Sequence, residues 1–151
     1  MPTFKQLLST IWFGRYANAV PGVVSTSGWE HTTVGERNSD NSLAGFHSWI
    51  YLYNEEEDGD CDYLGYIDSL KTGTTTILSM PVILYGSNAA STAFHIGASP
   101  ELEIAMGTLC HIARPNAPCY VQGSDETKYT MDSHSVIYNG VEYLEGAHPM
   151  L

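Results

Sequence analysis

Basic side chains are scarce in this chain of 151 residues. Six Lys and Arg residues stand against seventeen Asp and Glu residues, which gives a formal net charge of −11 at pH 7. Proteins that bind nucleic acid without sequence preference rely on Lys and Arg contacts to phosphates. The composition therefore excludes that class, although a small cleft could still handle a few nucleotides. The acidic surface favours a protein partner.

Cysteines and long apolar runs are also scarce. Three cysteines are too few for a disulfide scaffold, and a single bridge between Cys110 and Cys119 stays open. No apolar run approaches the roughly 20 residues of a membrane helix, so no membrane partner is expected. The first residues lack the apolar centre and cleavage site of a signal peptide. Secreted and cytoplasmic locations both stay open.

Short motifs of common enzyme classes are absent as well. The sequence contains no GxxxxGK[ST], GxSxG, HExxH or CxxC, and no two histidines have zinc-site spacing. Acidic residues gather in EEEDGDCD at 55–62. A calcium-binding loop that started at Asp58 would need Gly in place of Tyr63 and Glu in place of Ser69. We interpret the segment as a solvated turn and predict no metal ligands.

Apolar spacing and turn residues predict a single α+β domain over residues 1–151, with two small β-sheet lobes and packed helices. No repeat or linker divides the chain. The spacing predicts an amphipathic helix over 4–16, closed by a turn at Pro21-Gly22. β-branched residues favour a strand over 23–36, and apolar residues at intervals of three favour a helix over 43–56.

The second half of the chain predicts strands around a long helix. Strands are expected over 63–67, 74–85 and 91–97, with an edge position or a bulge at Pro81. Ser99-Pro100-Glu101 has the cap, the first-turn proline and the acid of a helix start. The expected buried face of that helix carries Leu102, Ala105, Met106, Leu109 and Ile112. Short strands follow, with Asn139-Gly140 as a hairpin turn.

Two histidines lie in segments rich in glycine and aromatic residues. His31 ends Gly28-Trp29-Glu30-His31, and His47 lies within Gly45-Phe46-His47-Ser48-Trp49. Two imidazoles that face one cleft could act as proton donor and acceptor. They could equally be unrelated core residues. On the predicted helix over 43–56, His47 would lie at the edge of the buried face.

Six segments in the same order resemble one family, the EndoU (XendoU-like) endoribonucleases. The similarity covers nearly the whole chain. It runs through the opening helix, SGWEH with VGE, GFHSWI, DYLGY, FHIGASPELE, and the turn between Cys110 and Cys119 with its ARPN. Each segment alone is weak, but the collinear set is specific.

The resemblance implies an endoribonuclease that cleaves single-stranded RNA, with uridylates as the expected sites. In this family the 2′-hydroxyl attacks its own phosphate and leaves a 2′,3′-cyclic phosphate. By position, His47 corresponds to the base and His31 to the acid. The substrate provides the nucleophile, so the chemistry requires no cofactor, while manganese is an expectation from the family alone.

The chain departs from the family pattern at three positions. The lysine that stabilises the charged phosphate corresponds to Ala89, and its absence could cost about 10²–10³ in rate. The substrate-binding hydroxyl corresponds to Ala93, with Thr92 beside it. The tyrosine near the C-terminus corresponds to His148, which could stack on a base or provide positive charge. His95, His111 and His134 are interpreted as structural.

Three interpretations therefore stay open. The chain could be an active ribonuclease, an RNA- or protein-binding module that has lost turnover, or an enzyme inactivated by replacement of a natural lysine at position 89. The two histidine segments favour the enzyme.

Overall fold

The computed structural model describes residues 2–17 and 26–151. Four helices are present in these residues: α1 (Phe4–Phe13), α2 (Gly28–Thr33), α3 (Trp49–Asp58) and α4 (Pro100–Ala113). The strands are β1 (Arg15–Tyr16), β2 (Thr26–Ser27), β3 (Glu36–Arg37), β4 (Leu43–Ala44), β5 (Cys61–Tyr63), β6 (Asp68–Thr72), β7 (Thr75–Leu84), β8 (Ser87–Ile96), β9 (Cys119–Gln122), β10 (Lys128–Tyr138) and β11 (Val141–Met150).

Two antiparallel sheets form the framework. In the first sheet, the long strand β7 pairs with β8 along one edge and with β5 and β6 along the other. The second sheet has the strand order β11-β10-β9. β1 pairs with β2 and β3 pairs with β4 in two short ribbons. The predicted α+β class is confirmed.

Each sheet packs its own helices. Phe46, Val82 and Phe94 are fully buried in the core between the first sheet and α3. Trp12 and Leu144 bury α1 against β11, and a further cluster around Met131 joins α4 to β9 and β10. β8 and β11 approach each other, so the two lobes meet along these strands.

Several sequence predictions are confirmed. The helix predicted over 4–16 is present as α1, although it ends at Phe13 and Arg15–Tyr16 form β1. α4 has the Ser99 cap with Pro100 in its first turn. The pairing of β7 with β8 shifts register between Met80 and Val82, which is the bulge expected at Pro81. Asn139 and Gly140 both have positive φ in the hairpin between β10 and β11.

The strand predicted over 23–36 is wrong for Gly28–Thr33, which form α2, while Thr26–Ser27 and Glu36 do lie in strands. Ser27 accepts a hydrogen bond from the Glu30 amide and so caps the short helix α2, which carries His31. A local cap therefore outweighs the strand preference of the β-branched residues. Residues 23–25 and the predicted turn at Pro21-Gly22 lie outside the described residues.

Two other predicted boundaries are also wrong. The helix predicted over 43–56 begins only at Trp49, because Ser48 is its cap and residues 43–44 pair as β4. His47 therefore lies before the helix, in a loop. The strand predicted over 63–67 ends at Tyr63, and β6 starts at Asp68.

The predicted buried face of α4 is wrong as well. Leu109 is 66% exposed, and Leu102 and Ile112 are also exposed. The opposite face is buried because Gly107 admits the Trp12 ring and Thr108 accepts a hydrogen bond from Trp12 Nε1 at 2.8 Å. Apolar spacing alone does not reveal which face a long-range contact covers.

The open question of a disulfide is answered by the described residues. Cys110 and Cys119 form a disulfide that joins the end of α4 to β9, and Cys61 is a buried free thiol. Within the described ranges, no helix combines the length and the apolar character that spanning a membrane requires.

Candidate active site

A left-handed turn places His47 where the two lobes meet. Gly45 and Phe46 both have positive φ, +73° and +67°. A Cβ atom at position 45 would lie 2.0 Å from the carbonyl oxygen of His31, so only glycine fits there. Phe46 is a bulky residue in a conformation that such residues rarely adopt, and its fully buried ring holds it there.

Backbone hydrogen bonds fix the two histidine segments to each other. The Phe46 amide donates to the His31 carbonyl at 3.0 Å, and the His47 amide donates to the Thr32 carbonyl at 2.7 Å. The segment before α3 is thereby held against the last turns of α2. The structure brings the two predicted catalytic histidines into one region although sixteen positions separate them in sequence.

The His47 ring is oriented through one of its nitrogens. Nδ1 lies 3.0 Å from the Ala93 carbonyl and 3.1 Å from Thr92 Oγ1, and the Thr92 hydroxyl donates to the Phe46 carbonyl at 2.8 Å. A carbonyl can only accept, so Nδ1 carries the proton and Nε2 keeps a lone pair. This tautomer suits a general base.

His148 covers one face of His47. The two rings stack with their centroids 4.1 Å apart and their planes 15° apart. Burial, together with repulsion from a protonated His148, holds the pKa of His47 well below its usual range. Burial likewise lowers the pKa of His148. Both rings are therefore neutral near pH 7, and His47 can accept a proton.

The His31 ring lies between α2 and β11. Its Nδ1 is 3.4 Å from a carboxylate oxygen of Glu36, and a Cβ atom at Gly146 would lie 2.9 Å from its Cδ2. This contact with Glu36 and the close approach of Gly146 fix where the His31 ring lies. Glycine at position 146 leaves the space that the ring occupies.

A shallow groove of about 170 Å³ runs beside His47. Its lining includes His47, Thr92, Ala93, His148 and the C-terminal residues after it. The predicted substrate-binding positions 92, 93 and 148 are thus brought together with His47. His31 does not line this groove. The Thr92 hydroxyl contacts the Phe46 carbonyl and His47 Nδ1, so its contacts orient the His47 ring.

Ala89 lies apart from these residues. Its side chain is 5% exposed and belongs to the core cluster with Phe46, Val82 and Phe94. A lysine at this position would have to pass its stem through apolar packing to reach the groove. None of the six Lys and Arg residues, all within the described ranges, lines the groove.

The remaining histidines divide into two kinds. His95 and His111 are buried; His95 contacts the Tyr129 hydroxyl at 3.2 Å, and burial lowers the pKa of His95 to about 4. These two match the structural interpretation. His134 is different, since its side chain is 48% exposed and its Nε2 lies 3.0 Å from an Asp132 carboxylate oxygen.

Sequence reasoning missed this Asp132–His134 pair beside His148. The one available signal was the Asp-x-His alternation, because residues two apart on a strand share a face. The register that puts Asp132 opposite His148 is visible only in the folded sheet. In the acidic stretch 55–62, α3 occupies the first half and β5 begins at Cys61, so the residues do not form one loop.

Comparison with known proteins identifies the family of the chain. The family model described as Endoribonuclease XendoU matches residues 1–149. The chain belongs to the XendoU endoribonuclease family. One relative is uridylate-specific endoribonuclease D of Xenopus laevis, which is 33% identical to this chain. The matched region covers 97% of this chain and 49% of that protein. The uridylate-specific endoribonuclease of Homo sapiens is 34% identical over 96% of the chain and 36% of its own length.

Solved structures show the same fold. The structure of XendoU, described as a splicing-independent snoRNA processing endoribonuclease, superposes with a TM-score of 0.73 at 28% identity. The match covers 100% of this chain and 56% of that one. The coronavirus endoribonuclease Nsp15 shares the fold, with a TM-score of 0.50 at 16% identity over 82% of this chain and 34% of that one. The chain spans about half the length of its curated relatives from Drosophila melanogaster and Xenopus laevis, and 36% of the length of the human relative.

Proposed function

We propose that this chain is an endoribonuclease that cleaves single-stranded RNA at uridylates. The observation that carries the proposal is the 3.0 Å contact between His47 Nδ1 and the Ala93 carbonyl, which assigns the proton to Nδ1 and leaves the lone pair on Nε2. The names of the relatives support the substrate class and the preference for uridylates.

In the proposed reaction, His47 Nε2 accepts the proton of the ribose 2′-hydroxyl. The 2′-oxygen forms a bond to the adjacent phosphorus, and the bond from phosphorus to the 5′-oxygen breaks. His31 gives a proton to the leaving 5′-oxygen. The products are a 2′,3′-cyclic phosphate and a 5′-hydroxyl, so no water is consumed in this step.

The two histidines have environments that suit opposite roles. His47 is shielded and stacked on another imidazole, and both features favour its neutral form. His31 instead has a carboxylate neighbour, with its Nδ1 3.4 Å from an oxygen of Glu36. The two imidazoles thus have different surroundings, as an acid and a base of the same residue type need.

The lack of a cation in the groove supports a second candidate function. With Ala89 in the core and no Lys or Arg lining the groove, nothing among its lining side chains neutralises the developing charge on the phosphate. A chain of this kind could bind RNA or a protein without turnover. The two functions differ in a single measurable property, which is cleavage.

The test is cleavage of a short uridine-containing RNA with and without manganese. The starting chain is compared with His31→Ala, His47→Ala and Ala89→Lys, and with His111→Asn as a control in a buried histidine away from the groove. We expect the starting chain and the control to cleave and both site variants to lose at least about 10²-fold in rate.

Each other outcome decides between the alternatives. If only Ala89→Lys cleaves, the lysine is the missing element and the starting chain is an inactivated enzyme. If neither the starting chain nor any variant cleaves the RNA under any condition, the proposed catalysis is refuted. RNA binding by the starting chain would then support the binding module.

A further inference from the structure

Three potential metal-ligating side chains converge beside the site. Asp132 and His134 project from the same face of β10, and the antiparallel register puts Asp132 opposite His148 on β11. One donor atom from each of the three residues lies within 4.8 Å of the others. Within this set, Asp132 Oδ2 and His134 Nε2 are already 3.0 Å apart.

We propose that Asp132, His134 and His148 bind a divalent transition-metal ion, for which Zn²⁺ is the best match. Two imidazole nitrogens and one carboxylate oxygen suit zinc and its neighbours, whereas Mg²⁺ and Ca²⁺ prefer sites made of oxygen alone. Three protein ligands leave one tetrahedral position open for a water molecule or a phosphate oxygen.

Hydrogen bonds orient the metal-ligating atoms of two of these residues, His148 and Asp132. His148 Nδ1 lies 3.1 Å from the Pro149 carbonyl, so Nδ1 carries the proton and Nε2 offers its lone pair. The Ser133 amide donates to Asp132 Oδ1 at 3.1 Å, which leaves Oδ2 toward His134. Metal-binding histidines and carboxylates are commonly held by such outer contacts.

The position of the site gives the ion a role next to His47. The His148 ring stacks on His47 at 4.1 Å and lines the same groove. No Lys or Arg side chain among the described residues lines that groove, so a dication on His148 would bring positive charge to its edge. The binding claim itself does not rest on the proposed function, because it concerns the RNA-free protein.

The experiment is calorimetric titration of the RNA-free chain with Zn²⁺, and separately with Mn²⁺ and Mg²⁺, at pH 7.5. The variants are Asp132→Asn, His134→Gln and His148→Gln, and Asp62→Asn is the control in the acidic stretch. His134 is half exposed, so its replacement leaves the fold intact, as the metal-free circular dichroism spectrum and melting temperature will show. Visible absorption of bound Co²⁺ reports the geometry.

We expect one Zn²⁺ ion per chain, weaker Mn²⁺ binding and no Mg²⁺ binding. Each ligand variant should lower the Zn²⁺ affinity at least about tenfold, and Asp62→Asn should leave it unchanged. Bound Co²⁺ should give the intense visible bands of a four-coordinate site, and these bands should disappear in His134→Gln. The proposal is overturned if the starting chain binds no Zn²⁺, or if folded His134→Gln and Asp132→Asn both bind it with unchanged affinity.

Discussion

At the scale of single residues, Thr92 joins the turn before α3 to the His47 ring. Its hydroxyl donates to the Phe46 carbonyl and lies 3.1 Å from His47 Nδ1. The side chain therefore fixes both the backbone that carries His47 and the rotation of its ring. In the proposed reaction, Thr92 is a positioning residue, since it acts through His47.

Replacement of this hydroxyl is predicted to slow turnover more than it weakens substrate binding. Thr92→Val keeps the shape but leaves the Phe46 carbonyl without its partner, so the base is less well aligned. We expect kcat to fall about tenfold or more with little change in KM, measured on a uridine-containing RNA. Thr92→Ser should restore most of kcat. Equal kcat values for all three proteins would contradict the positioning role.

Glu103 gives the chain a dependence of stability on pH. This carboxyl faces a small cavity beside Trp29, His47 and His95, and burial raises its pKa from 4.5 to about 7. The folded protein thus binds a proton more tightly than the unfolded chain. Its contribution to stability is complete below pH 4.5 and is lost as the pH rises through about 7.

Glu103→Gln is therefore predicted to stabilise the protein at pH 8, by up to about 3 kcal/mol, and to have little effect at pH 4. Urea unfolding at both pH values measures this difference. Glu101→Gln is the matched control, because this acid lies in the same helical turn but is exposed. A control that gains as much stability at pH 8 as Glu103→Gln would refute the burial argument.

At the scale of elements, local signals predicted those parts of the chain that local contacts determine. α4 has its cap and first-turn proline in the sequence, and the bulge at Pro81 follows from the missing amide of proline. α2 was missed because a serine cap outweighs the β-branched residues around His31. The buried face of α4 was missed because distant Trp12 packs on Gly107.

In the candidate site, too, some features follow from local sequence and others from contacts between distant strands. His31 and His47 could be identified from their sequence segments, and the structure ties those segments together. The stacking of His148 on His47 and the pairing of Asp132 with His148 depend on how β11 lies against β8 and β10. A single sequence does not reveal such contacts between distant strands.

The disulfide between α4 and β9 is predicted to contribute about 2–3 kcal/mol to the free energy of unfolding. It closes a short loop, because Cys110 and Cys119 have a sequence separation of 9, and it thereby limits the conformations of the unfolded chain. Urea unfolding of the double variant Cys110→Ala/Cys119→Ala measures this contribution. A reductant should lower the stability of the starting chain and leave the double variant unchanged. Equal sensitivity of both proteins would contradict the prediction.

At the scale of the whole molecule, two lobes meet along β8 and β11 and leave His47 at their junction. The first lobe holds the His47 ring through the Ala93 carbonyl, and the second covers it with His148. The net charge of −11 gives this molecule little general affinity for RNA. Recognition in the proposed function must therefore come from the groove rather than from the surface as a whole.

The most direct test of this account uses an oligodeoxynucleotide that contains a single uridine ribonucleotide, and an identical strand with 2′-deoxyuridine at that position. Both are incubated with the chain, with and without Mn²⁺ or Zn²⁺, and the products are identified by mass spectrometry. The account predicts one cut after the ribonucleotide, a product that ends in a 2′,3′-cyclic phosphate, and no cut of the deoxyuridine strand. Cleavage of the deoxyuridine strand, or an intact ribonucleotide strand under every condition, would contradict it.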